Sequence, residues 1–139
     1  MTDVETAKLP AALRPVLDNG IPAVIVTCST AGVPNATIIS QVYYVDESHV
    51  ALSFQFFNKT IRNVRENPRA AVMLADVAAA ANWVLALEFE RSEKAGPIFE
   101  AMDIHIEAIA SSTGMSGIFK LQAADVYRVR SVRHVPFHP

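Results

Sequence analysis

Residues 53–72 read SFQFFNKTIRNVRENPRAAV. An extended apolar run gives way at Asn58-Lys59-Thr60 to a short helix. The helix stops at Asn67-Pro68, because a residue that precedes proline is pushed out of helical backbone. Arg69-Ala-Ala-Val-Met-Leu74 then reads as a further extended run. The turn between strand and helix is a place to hold an anion. Asn58 or the residue beside it can cap the helix, the first-turn N–H groups are unpaired, and the helix dipole there favours negative charge. Lys59 offers a point charge and Thr60 a neutral donor, while Arg62 either reaches the same side or pairs with Glu66. The local signal is of low specificity, since a lysine near a helix start is commonly a solvated side chain.

Outward from this segment the pattern is β-rich. Residues 21–28 are a β-branched run, and the turn-rich 29–34 leads into a second strand over 35–45. Asp46-Glu-Ser-His49 connects to a third strand over 50–56. Three antiparallel strands in succession favour a barrel or sandwich over a parallel α/β sheet. Before them, residues 10–18 form a short helix with Leu13, Val16 and Leu17 on one side and Gly20 as its stop, expected to cover one end of the barrel. Residues 70–89 are apolar over the length of a membrane span. Asp76, Asn82 and Glu88 lie inside that stretch, so the expectation is two buried strands joined near 78–81. Gly96-Pro97 opens a helix whose Ile98, Phe99, Met102, Ile106 and Ile109 recur at three- and four-residue spacing. Its Glu100, Asp103 and Glu107 fall on other faces and read as solvated surface, and residues 111–114 end it. Residues 123–132 form the last strand, alternating Val126, Arg128 and Arg130 against Tyr127, Val129 and Ser131.

At 139 residues, 51% hydrophobic and 19% charged, the chain suits one globular domain spanning 1–139, long enough to bury about two thirds of its extended surface. A net charge of −2, with no block of like charges, gives no field for nucleic acid. Cys28 is the only cysteine, which excludes an intramolecular disulfide and a cysteine-ligated cluster; it is expected to pack as a small apolar residue. The N-terminal residues carry acids and no signal-peptide core, so a cytoplasmic protein with no membrane segment is expected. His49, His105, His134 and His138 show no metal-ligand spacing, and His105 reads as a surface or interface residue. The scattered glycines build neither a Rossmann nor a P-loop motif, and no serine-nucleophile motif is present.

Residues 20–40, 50–74 and 124–132 resemble the flavin-nucleotide-binding split β-barrels related to pyridoxamine-phosphate oxidase. The resemblance runs over roughly residues 9–132. Its most specific element is the polar-Lys/Arg-polar turn followed by a short helix and Asn-Pro-Arg. It implies a mainly β fold with flanking helices, a six-stranded antiparallel split β-barrel, binding FMN between the two subunits of a homodimer. By the same resemblance Asn58, Lys59 and Thr60 hold the phosphate, while Ser53, Phe54 and Gln55 follow the ribityl chain and ring edge. Thr37, Ser40 and Gln41 on the neighbouring strand contact the ring; the alternative is that such residues are merely outward-facing strand positions. The chain departs from the oxidase itself. Ala36-Thr-Ile-Ile-Ser-Gln41 replaces the Arg and Lys of the strand-two motif, and the C-terminal Trp and Arg signature is missing, the lone Trp83 lying elsewhere. The resemblance therefore implies an FMN-dependent oxidoreductase acting on an unknown small molecule, and not vitamin B6 oxidation. The alternatives are a non-catalytic flavin-binding sensor, storage or relay module, and a deazaflavin-dependent reductase or haem protein on the same fold. The absence of a haem-ligand motif lowers the haem variant. No catalytic residue and no metal site is singled out.

Overall fold

A computed structural model of the chain describes residues 4–18, 22–54, 58–112, 114 and 120–138. After a short β1 (Val4–Thr6) come a 3-10 turn over Ala11–Leu13 and α1 (Arg14–Asp18), which together put Leu13, Val16 and Leu17 into the core as their spacing implies. The β-branched run becomes β2 (Ala23–Cys28), hairpinned to β3 (Pro34–Ile39) through a turn in which Gly32 takes φ +84°. A side chain is disfavoured in that conformation, so glycine fits the position.

The strand expected over 35–45 is broken. β3 ends at Ile39, and a separate β4 (Val42–Asp46) pairs with β5 (His49–Phe54). Ile39 and Gln41 are buried and so is the next residue, Val42, so the period-two alternation fails at Gln41-Val42. The reason is topological. Along the sheet the order is β3-β2-β6-β7-β8-β5-β4, with β6 at Arg69–Asp76, β7 at Ala81–Glu93 and β8 at Ala123–Pro136. β3 and β4 are its two ends, so the curled sheet is closed there by two residues of covalent chain and not by a ladder of hydrogen bonds. That is a split barrel. The expected six strands become seven on this path, with β1 added as an eighth against β8.

The apolar stretch 70–89 is the β6–β7 hairpin, and among the described residues no helix is long and apolar enough to cross a membrane. Inside the barrel Leu13, Ile25, Val72, Leu85, Tyr127 and Val132 are almost fully removed from water. Each such side chain contributes roughly 1.5–3 kcal/mol. Outside it, α3 (Pro97–Ser112) lays Met102 and Ile106 on Ala51, Ala124 and Val126. β5 and β8 are therefore covered on both faces, and residues 123–127 are buried without alternation.

Candidate functional site

Helix α2 (Asn58–Glu66) follows β5 and turns the chain back toward β6. Its inward face carries Ile61 and Val64, which enter the core, and a row of polar side chains at helical spacing that fix the helix to the β2–β3 hairpin. Asn35 Nδ2 donates to Thr60 Oγ1 at 3.2 Å, Asn63 Nδ2 to Thr27 Oγ1 at 3.1 Å, and Asn67 Nδ2 to the Cys28 carbonyl at 3.2 Å. Thr27, Thr60 and Asn63 are buried, so the first two bonds satisfy groups that would otherwise be costly to desolvate. On the opposite side Lys59, Arg62 and Arg65 repeat every third residue and are exposed. The pairing of Arg62 with Glu66 is not among the ion pairs of the described residues. Helix α2 thus presents a cationic outer face above an uncharged, hydrogen-bonded inner one, with Lys59 and Thr60 in its first turn.

The residues singled out in the sequence fall into three groups. Lys59 is exposed and open to solvent, whereas Thr60 is turned inward to Asn35. Thr37 is half-buried on β3, on the same face as Asn35 and Ile39 and opposite Ile25 of β2. Across the seam Ser40 Oγ lies 3.4 Å from Ser53 Oγ, and Gln41 Nε2 lies 2.6 Å from Nδ1 of His105 on α3. The Gln41 amide is therefore engaged by α3, and its Oε1 is buried without a partner. Gln55 and the side chains of Phe54 and Asn58 lie outside the described residues.

Beneath α2 the structure adds two groups that the sequence reading passed over. Asp125 on β8 is 3% exposed and accepts a 2.5 Å hydrogen bond from Ser92 Oγ. Burial raises its pKa, while the Ser92 bond and the positive field of Arg65 pull the other way. Tyr127, buried beside it, has its phenol pushed far above the ordinary value by burial and by Asp125, so it stays neutral. Ser53, Thr60, Asp125 and Tyr127, walled by Ile25 and Ile61, line a pocket with room for about one water. The signal for Asp125 was a carboxylate set between Ala124 and Val126 in an otherwise apolar stretch; for Asn35, Thr27 and Asn63 there was none, because each is an ordinary polar residue until α2 docks.

The histidines stand apart from this site, apart from His105. His49 bridges Asp46 and Glu90 at 2.9 Å each, and its pKa is raised first by the bond to Asp46 and next, against desolvation, by Glu90. Among the described residues no three metal-ligating side chains converge.

Three solved structures with the same fold frame the site. An FMN-binding protein from Syntrophomonas wolfei subsp. wolfei matches at TM-score 0.69 and 16% identity, over 86% of this chain and 82% of that one. An F420 reductase matches at TM-score 0.58 and 11% identity, over 88% and 95%. HutZ, the heme storage protein of Vibrio cholerae, matches at TM-score 0.58 and 12% identity, over 95% and 99%. At such identities the likeness shows the fold alone. No curated protein matches the chain by sequence. The sequence profile described as pyridoxamine 5'-phosphate oxidase matches residues 9–129, and the chain belongs to that family.

Proposed function

We propose that the protein is a homodimeric FMN-binding oxidoreductase, with the cofactor phosphate at the first turn of α2. The observation that carries this reading is the arrangement of that turn within a member of this family: an exposed Lys59, with Arg62 and Arg65 one and two turns on, over a helix start fixed by the Thr60–Asn35 bond. This donor set fits a phosphate. Lys59 would hold the phosphate charge with Asn58, and Thr60 would close the turn from within. Ser53, Phe54 and Gln55 would follow the ribityl chain, with Thr37, Ser40 and Gln41 at the ring. When bound, FMN supplies the electron-accepting centre, and the chain's part is to bind, orient and shield it.

A second copy of the chain has a face to meet. Ile38, Val24, Met73 and Val84 stand in one cross-strand row on the outside of β3, β2, β6 and β7, and Ala36, Val26, Ala71 and Ala86 in the next. Ile38 is 64% exposed and Met73 44%, an apolar surface of the kind that marks an interaction site.

The test is the visible spectrum of the purified protein before and after FMN is added and unbound ligand removed by gel filtration. A yellow species eluting as a dimer is expected; a colourless one after reconstitution would sink the flavin reading. Lys59→Ala is expected to weaken FMN binding by about 1.5 kcal/mol, roughly tenfold, with the fold retained. One observation favours a binding module without turnover: the acid and the phenol at the described site, Asp125 and Tyr127, are both buried. That alternative gives flavin binding with no oxidation of a nicotinamide. A deazaflavin held on the same cations is distinguished by adding it in place of FMN.

A further inference from the structure

The opposite end of the barrel holds a cleft that the flavin reading does not use. It has a volume of about 390 Å3, within the range of small-molecule sites, and lies between the 3-10 turn, the β6–β7 turn and the end of β8. Pro10, Ala12, Ala79 and Val132 make its walls apolar. The polar groups facing it are few and fixed. Asp76 Oδ1 accepts from the Ala79 N–H at 3.2 Å, and Oδ2 from the Trp83 indole N–H at 3.3 Å. His134 leans on Trp83 with ring centroids 4.6 Å apart. Neither lysine nor arginine is among the lining residues.

We propose that this cleft binds a small organic ammonium ion, an amine carrying an aromatic or aliphatic body. The carboxylate is held by two donors that leave lone pairs on both oxygens, so it is preset to accept further N–H bonds. The indole N–H fixes the carboxylate from one side, and the indole with the apolar walls takes the hydrocarbon body. An anion would meet Asp76 with no lysine or arginine among the lining residues to oppose it, and a wholly apolar ligand would leave the carboxylate desolvated without a partner. β6 runs about 24 Å from Arg69, three residues past the end of α2, to Asp76 at this end. The proposal therefore stands independently of what α2 binds.

Trp83 is the only tryptophan, so its emission reports directly on the cleft. The full-length protein is titrated at pH 7 with phenethylamine and with its neutral analogue 2-phenylethanol. A saturable change with the amine is expected, with binding of the alcohol at least tenfold weaker. Asp76→Asn should erase that preference. Ala12→Phe, on the exposed rim, should block the amine without touching the carboxylate, and it decides the matter if Asp76→Asn does not fold. No saturable response, equal affinity for amine and alcohol, unchanged amine binding in a folded variant, or displacement of bound FMN by the amine would each overturn the proposal.

Discussion

The two ends of the barrel are closed by different physics. At the α2 end the helix is fixed by directed hydrogen bonds, Asn63 to Thr27, Asn35 to Thr60 and Asn67 to the Cys28 carbonyl. At the β6–β7 end the closure is a tryptophan, an imidazole and a few alanines, with one carboxylate tied to the indole. Hydrogen bonds specify orientation, because their strength falls steeply with angle; apolar packing specifies volume and tolerates rotation. In the proposed function, a helix start that aims its N–H groups and a lysine at a phosphate would need the first kind of closure. The proposed amine cleft, which would take a hydrocarbon body, is built from the second.

Removing the ring from the apolar end should have the largest effect. Trp83 is 7% exposed, and Trp83→Ala is expected to cost about 3–5 kcal/mol in urea unfolding. A loss under about 1 kcal/mol would mean that this end does not rest on the indole. At the polar end Asn63→Ala should cost about 1–3 kcal/mol, because it leaves the buried Thr27 hydroxyl without its donor. The pair Asn63→Leu with Thr27→Val, which removes both partners, should recover much of that loss. If the double variant is as unstable as the sum of its parts, the bond is not what holds α2.

Asp125 sharpens the contrast through pH. Its folded pKa is raised, chiefly by burial, so the folded state favours the neutral acid. The stability this contributes is full below the ordinary value of 3.8 and is lost as pH rises through the raised folded value. Asp125→Asn keeps an acceptor for Ser92 and cannot ionise. It should leave stability near pH 3 almost unchanged and raise it, by less than the Asn63 effect, near pH 7. Urea midpoints measured at both values check this; a variant less stable at pH 7 would show that the ionised carboxylate is held favourably, with Arg65 outweighing burial.

What the sequence disclosed follows the range of the interactions involved. Strands with β-branched runs, the stop at Asn67-Pro68 and the amphipathic spacing of Ile98, Phe99, Met102 and Ile106 are local, and the structure has them where they are expected. The break at Ser40-Gln41 was not legible, since Ala36-Thr-Ile-Ile-Ser-Gln-Val reads as one continuous strand until closure of the sheet demands a crossing. Lys59 stands out in the sequence because a cation in the first turn of a short helix is itself a pattern, and the structure leaves it exposed. The partners of Thr60 and Asn63 were not legible, since Asn35 and Thr27 lie 25 and 36 residues away. Gln41 shows the same limit from the other side: the residue stands out in sequence, but its bond to His105 spans 64 residues and depends on how α3 docks.

The smallest expected effect concerns the turn of the apolar end. Ala80 has φ +50°, the left-handed region that favours glycine, in a turn of sequence Val77-Ala-Ala-Ala80. It is fixed there from both sides: its N–H donates to the Val77 carbonyl at 3.1 Å, and its own carbonyl accepts from the Phe137 N–H at 2.8 Å. An L-residue in this conformation is disfavoured by about 1–2 kcal/mol, whereas glycine gives back roughly 0.5–1 kcal/mol as extra freedom of the unfolded chain. Ala80→Gly is therefore expected to stabilise the fold by about 0.5 kcal/mol, a rise of roughly 1–3 °C in Tm. A fall in Tm would mean that the alanine methyl makes contacts worth more than its backbone strain. A rise accompanied by weaker amine binding would tie the strained turn to the cleft, whose wall includes the neighbouring Ala79.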